Sequence, residues 1–324
     1  MKIANLKKIL VTGGSGFIGS HLVDAFARGS DAEIVVYDDF RTGTKLFLQN
    51  QEDNDRVKVI EADVLDFETL KEAMQGVDLV MHLQANADVR GGIKNRRVDL
   101  EQNTIATWNV LEAMALNDVK ELGFASSATV YGEPDVFPTP ENVPLIQTSL
   151  YGASKLCGEA MIHAYGEYFG IRSNIFRFVS WTGPRYTHGV VFDFIKKLKA
   201  NPGSLEILGD GKQVKSYLDV SDGVSGILTA LEKSPELKGC YNLGHDDSMC
   251  VLDLANIVCD EAGFGDVKYQ LTGGSRGWVG DSPFVHLDTA ALKQLGWKAE
   301  VSIEESIRRT VDFLMKNPEL LTRQ

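Results

Sequence analysis

An α/β fold built on a doubly wound parallel sheet is predicted by three features of this 324-residue chain. Short apolar runs rich in Val and Ile alternate with amphipathic stretches, the runs are continuously apolar, and glycines close the helical stretches. Continuous runs suit strands buried on both faces of a parallel sheet. Glycine just past the last apolar position is the expected helix stop. In order, the strands are "KKILVTG", "AEIVVYDD", "RVKVIEAD", "VDLVMHL", "KELGFASS" and "SNIFRFV". The helices between them include "FIGSHLVDAFARG", closed by Gly29, "DFETLKEAMQG", closed by Gly76, and "QNTIATWNVLEAMALN". This βαβα order predicts a Rossmann-type sheet over residues 1–180.

Residues 181–324 read as a smaller C-terminal substrate-binding subdomain. "WTGPRYTHG" is rich in turn formers, "LEILGDGKQVKSYLDV" reads as short strands around a Gly-Asp-Gly turn, and helices follow from Val220 and Val251. A run at about 239–245 is a candidate to rejoin the main sheet. The tetrapeptide at Thr12–Ser15 recurs at Thr272–Ser275, but "RGWVGD" follows the second copy with no apolar helix, so it reads as a loop.

Composition narrows the function. A 44% hydrophobic and 24% charged chain is ordinary for a soluble enzyme. A net charge of -12 argues against broad binding to nucleic acid or an anionic membrane, so an anionic ligand needs a local cationic pocket. No apolar segment precedes the first strand and no run of 18 apolar residues occurs, which predicts a cytoplasmic protein. The four cysteines form no CxxC pair, and Cys157 falls in an apolar helical stripe as a packed thiol. Six scattered histidines offer no metal-ligand spacing, so no metal is expected.

The chemistry-bearing motifs sit at strand ends. In "VTGGSGFIGSHL", Gly13, Gly16 and Gly19 follow the first strand, and a helix begins near Phe17. Such a loop permits close backbone approach to a pyrophosphate, and the helix N-terminus offers free N–H groups. Asp38 ends the second strand, where a carboxylate accepts ribose hydroxyls and repels a 2'-phosphate; that favours NAD, with Arg41 as the competing signal for NADP. Ser126 and Ser127 end the fifth strand, and Tyr151 and Lys155 share one helix face in "YGASK".

These motifs, with "YDDFRTG", "HLQANADVR", "SSATVYG", "GDGKQVKSYLDVSD" and "YNLG", give the chain a resemblance to the NAD-dependent epimerase/dehydratase family of extended short-chain dehydrogenases, and most to its UDP-glucose 4-epimerase type. The resemblance implies Tyr151 as catalytic base, Lys155 as its activator and a ribose ligand, and Ser127 as partner of the reacting hydroxyl. It implies a dinucleotide site from Gly13, Gly16, Phe17, Ile18, Gly19, Asp38, Asp39, Phe40, Thr42, Gly43, Asp63, Val64, Leu83, Gln84, Ala85, Asn103, Ser126, Tyr151, Lys155 and Val179. On the substrate side it points to Ser127, Tyr151, Ser180, Arg185, Val190, Lys215, Arg276, Asp281 and Val285. An ammonium and an oxidised nicotinamide are expected to lower the Tyr151 pKa toward working pH.

The implied reaction is transient oxidation of a nucleotide-diphosphate sugar, most simply a UDP-hexose at C4. The 4,6-dehydratases of the family carry an Asp-Glu pair where this chain has Ala128 and Thr129, which argues against dehydration. Departures at Ser180, Gln84 and Lys215 leave the sugar open, and Arg185 is expected to hold a diphosphate or a uronic carboxylate. A decarboxylase, a reductase, an epimerase at another carbon and a noncatalytic NAD-binding regulator are the alternatives. Relatives pair the helices near 103–116 and 149–169 into a dimer, and Ala106, Ala113, Gly158, Ala160 and Ala164 would allow close contact here.

Overall fold

In a computed structural model that describes residues 1–322, fourteen strands and ten α-helices alternate through most of the chain. The strands are β1 (Lys8–Thr12), β2 (Glu33–Asp38), β3 (Val57–Glu61), β4 (Leu79–His82), β5 (Glu121–Ser127), β6 (Arg172–Phe178), β7 (Ser180–Thr182), β8 (Ser204–Ile207), β9 (Val214–Lys215), β10 (Tyr217–Asp219), β11 (Lys238–Leu243), β12 (Met249–Cys250), β13 (Lys268–Leu271) and β14 (Phe284–Val285). The helices are α1 (Phe17–Gly29), α2 (Phe67–Ala73), α3 (Gly91–Lys94), α4 (Ala106–Leu116), α5 (Leu150–Phe169), α6 (Val190–Ala200), α7 (Val220–Lys233), α8 (Val251–Glu261), α9 (Ala290–Gln294) and α10 (Ile303–Lys316).

Seven strands form one parallel sheet in the order β11-β6-β5-β4-β1-β2-β3. The chain runs outward from β1 through β3, returns to β4 beside β1, and continues the other way, so the switch point lies between β1 and β4. Ligands of such sheets sit in that crevice at the carboxyl strand ends. Neighbouring β1 residues serve opposite faces: Ile9 and Val11 pack into one core, Leu10 into the other. Burial on both faces fails at β3, where Lys58 and Val59 are exposed. It is the sheet edge and has no neighbour beyond it.

Strand β11 joins the main sheet beside β6 although it follows the short strands of the C-terminal region. Those short strands do not pair across the turn at Gly209 and Gly211. Instead β8 pairs β13, β10 pairs β7, and β9 pairs β12 and β14. Pairing with distant segments fixes Lys215 and Val285 opposite each other in register.

Helix α5 starts where Ser149 accepts the Gly152 N–H through its hydroxyl, and stops at Gly170 in the left-handed region. Its inward face carries Ser154, Lys155, Gly158, Glu159 and Ile162. Cys157 is exposed, which corrects its reading as a packed thiol: it lies on the opposite face. Ala106, Ala113 and Gly158 are buried inside their own chain, and a side chain at Gly158 would meet the Phe124 ring at 2.9 Å. They seat α4 and α5 on the sheet and are unavailable to a partner.

Candidate active site

The carboxyl end of β5 and the first turns of α5 meet at the sheet's crevice. The Lys155 ammonium is buried and donates to the Ala125 carbonyl at 2.8 Å, with the Tyr151 ring centroid 5.9 Å away. Ser127 accepts from the Thr129 amide at 3.2 Å and from its hydroxyl at 3.0 Å. Thr129 therefore buttresses Ser127 at a position where an acid would stand in a dehydratase.

Burial, reinforced by the negative charge of Asp99, pushes the Tyr151 phenol up to about 12, against a hydrogen bond with Ser127 that pulls it down. Burial lowers Lys155 to about 8, with Glu159 and Asp99 opposing that fall. Desolvation dominates, and the ammonium is held by the Ala125 carbonyl.

Asp99 and Glu159 are contributors that the sequence did not announce. Asp99 Oδ1 accepts from Asn86 at 2.8 Å and Asn103 at 3.3 Å, while its Oδ2 is buried without a partner. Burial raises its own pKa. Asn103 lies in a π-helical turn, Leu100–Ile105, before α4, and its amide also donates to Ser154 at 2.9 Å. Below it His82 is pushed down to about 3 by burial, so it is neutral. Since Thr107 donates to the Asn103 carbonyl, its oxygen accepts from His82 Nε2, and Nδ1 accepts from Thr12.

On the nucleotide side, Gly13 has φ +71°, and a side chain at Gly19 would collide with the Gly13 carbonyl. Gly16 caps α1 with no side chain, so the first-turn N–H groups lack a side-chain cap. Asp38 accepts from Ser15 N and Phe40 N, both at 2.9 Å. It fastens the glycine loop as well as ending β2. Phe40 takes φ +55°, a left-handed conformation uncommon for a bulky residue. Thr42 leads into Gly43, which packs on Ser15. Arg41 pairs with Asp39 at 2.7 Å and Asp63 at 2.8 Å, so two carboxylates neutralise the cation that competed for a 2'-phosphate.

Val64 and Val179 are buried, and Phe17 and Ile18 open α1. Leu83, Gln84 and Ala85 continue from β4 past the glycine loop; the Gln84 amide oxygen is buried and unpartnered, and the Gln84 backbone would lie 2.8 Å from a side chain at Gly13. A cradle closed to side chains, an uncapped helix start and an orphan acceptor fit a dinucleotide. The Ser126 hydroxyl donates to Glu159 at 2.5 Å.

Of the substrate-side residues, Lys215 pairs with Asp281 at 2.6 Å, and Arg276 pairs with Glu133 at 2.6 Å. Val285 lines a small cavity with Ala128 and Tyr131, Ser180 is exposed at the start of β7, and Val190 opens α6. The Arg185 guanidinium bonds Asp24 of α1 at 2.7 Å, largely out of solvent, while its Nη1 is buried with no partner among the described residues.

The sequence profile of the NAD dependent epimerase/dehydratase family matches residues 9–244. The chain belongs to this family. A Methanocaldococcus jannaschii protein named provisionally as a UDP-glucose 4-epimerase is 34% identical over 95% of this chain and 99% of its own. A solved UDP-galactose 4-epimerase is 37% identical with TM-score 0.86, over 96% of this chain and 99% of that one. The Bacillus cereus UDP-glucuronic acid 4-epimerase, solved with UDP-glucuronic acid and NAD, is 28% identical with TM-score 0.87 over the same shares. This member of the epimerase/dehydratase family is accordingly an NAD-dependent enzyme on nucleotide sugars. Among the described residues no helix is long and apolar enough to cross a membrane.

Proposed function

We propose that the protein is a nucleotide-sugar 4-epimerase whose substrate is a UDP-hexose. The observation that carries this reading is the assembly of Ser127, Tyr151 and Lys155 with Ala128 and Thr129 beside them. There is a base for the sugar hydroxyl and no acid pair to expel water. NAD, when bound, would supply the redox chemistry and a positive charge in its oxidised form. Gly13, Gly16, Gly19, Asp38 and Asp63 are the residues that hold it.

Tyr151 takes the proton of the C4 hydroxyl as the C4 hydride leaves, giving a 4-keto sugar. Return of hydride to the opposite face, with the proton given back by Tyr151, completes inversion. Lys155 stabilises the phenolate, Ser127 bonds the reacting oxygen, and Lys215 and Arg276 bear on the diphosphate. From about 12 the phenol must fall several units near the ammonium and the oxidised cofactor. Catalysis therefore depends on the loaded site.

The test is purified holoenzyme incubated with UDP-glucose, UDP-N-acetylglucosamine and UDP-glucuronate, products resolved by chromatography. The expected result is interconversion with the C4 epimer of at least one; a product one water lighter, or release of CO2, overturns the reading. Tyr151→Phe is expected to keep NAD binding and lose at least 10²-fold in kcat, within the range for general base catalysis. We also infer a homodimer through the outer faces of α4 and α5.

A further inference from the structure

The loop between β13 and β14 holds an indole that the proposed mechanism does not use. Two cations lie over the Trp278 ring: Lys215 Nζ is 5.0 Å from its centroid and the Arg90 guanidinium 5.8 Å. Arg90 belongs to the segment before α3 and Lys215 to β9, so the ring bridges the nucleotide-sheet side and the C-terminal side.

The loop is held firmly. Gly277 N and Lys215 Nζ both donate to Asp281, at 3.0 and 2.6 Å, and the Asp281 amide returns to the Trp278 carbonyl at 3.1 Å. At Gly280, φ is +89° and a side chain would lie 2.7 Å from the Thr148 carbonyl, one residue before the cap of the Tyr151 helix. Trp278 is thereby anchored next to the catalytic helix.

Its Nε1 is buried and has no hydrogen-bond partner among the described residues. A desolvated donor left unmade costs about 1–3 kcal/mol, and native proteins leave few. An acceptor arriving close to two cations is favoured if it is an anion. Lys215 pairs with Asp281 at 2.6 Å, and Arg90 lies 3.5 Å from Asp193 and 3.9 Å from Asp88. These carboxylates orient the cations, while the indole donor has no acceptor.

We propose that Trp278 is a specificity-determining substrate contact, its indole N–H donating to a phosphate oxygen of a nucleoside diphosphate that Lys215 and Arg90 also engage. This rests on the reading of a nucleotide sugar as substrate and adds two residues to it. Phosphate is the matching chemistry because a guanidinium binds paired oxygens in bidentate fashion and a charge-assisted bond satisfies the indole.

Trp278→Phe separates the roles, since it keeps a ring beneath the cations and removes only the donor. With NAD-loaded protein titrated calorimetrically, the variant is expected to bind UDP about tenfold or more weakly, the loss of one bond to a charged acceptor. Uridine, which lacks phosphate, is expected to bind both proteins with equal affinity in the same titration. In turnover KM rises for the sugar nucleotide with kcat within about twofold, as for lost uniform binding. Arg90→Ala is expected to weaken UDP binding in the same direction. Wild-type UDP affinity in Trp278→Phe overturns the proposal, as does an equal loss for UDP and uridine. A wild type that binds UDP but epimerises no UDP-sugar overturns the reaction and leaves this contact standing; one that binds no nucleoside diphosphate overturns both.

Discussion

One buried charge, Asp99, acts in opposite senses on the proposed base and on the neighbouring ammonium, and the balance is testable at one side chain. Asp99 opposes ionisation of Tyr151 and supports the Lys155 cation. Asp99→Asn keeps the shape, and its amide oxygen can still accept from Asn86 and Asn103. Removing the negative charge lowers the Tyr151 pKa, so the acid limb of kcat/KM is expected to move to lower pH by roughly half to one unit, the size of one partly screened charge. The sign is fixed: a base with a lower pKa stays active further into acid. If the limb moves up, the weakened ammonium has outweighed the direct effect; if it stays, Asp99 is protonated at working pH. The sequence displayed the Tyr151 and Lys155 pair because both sit on one helical turn. It could not display Asp99 as a neighbour, because that proximity comes from folding 52 positions of chain onto the crevice.

Among elements, the join between α5 and the sheet is the decisive packing unit. Arg177 on β6 makes a bidentate pair with Glu159 on α5 at 3.0 and 2.7 Å, and reaches Tyr131 and the Glu141 carbonyl. Tyr131 donates to Asn242 on β11, and Ser126 on β5 donates to Glu159. Four elements are thus cross-linked one helical turn below Lys155. Glu159→Ala leaves a buried guanidinium without its carboxylate and is expected to destabilise by about 3–5 kcal/mol, read from the midpoint of urea unfolding at unchanged slope. Replacing both partners, Glu159→Met with Arg177→Met, is expected to recover part of that loss. Six sheet strands and the glycine loop were legible because their signals are local: apolar runs, a Gly stop, a strand-turn-helix order. The pairing of β8 with β13 and the Arg185 contact with Asp24 were not, since the latter joins residues 161 apart. Nothing local in "TGPRYTHG" separates an arginine facing substrate from one tied to α1.

At the scale of the molecule, the outer faces of two adjacent helices remain uncovered. Tyr165 donates to Glu112 at 2.8 Å, so α4 and α5 lie side by side. Exposed there are Leu100 and Ile105 in the π-helical turn that leads into α4, Trp108 on α4, and Ala160, Ala164 and Tyr168 on α5. A chain with net charge of -12 that shows such a face side by side with the helix of its proposed base has reason to bury it against a second copy. The small residues that matter are the exposed Ala160 and Ala164, since Ala106, Ala113 and Gly158 are used inside the chain. Ala160→Glu places a charge on that face without opening the core. Wild type is expected to sediment as a dimer at micromolar concentration with a melting temperature that rises with concentration, and the variant as a folded monomer without that dependence. NAD binding is expected to persist in the variant, because the glycine loop and Asp38 lie on other elements. A wild type of monomeric mass ends the dimer reading, and a variant that remains dimeric moves the interface to another face.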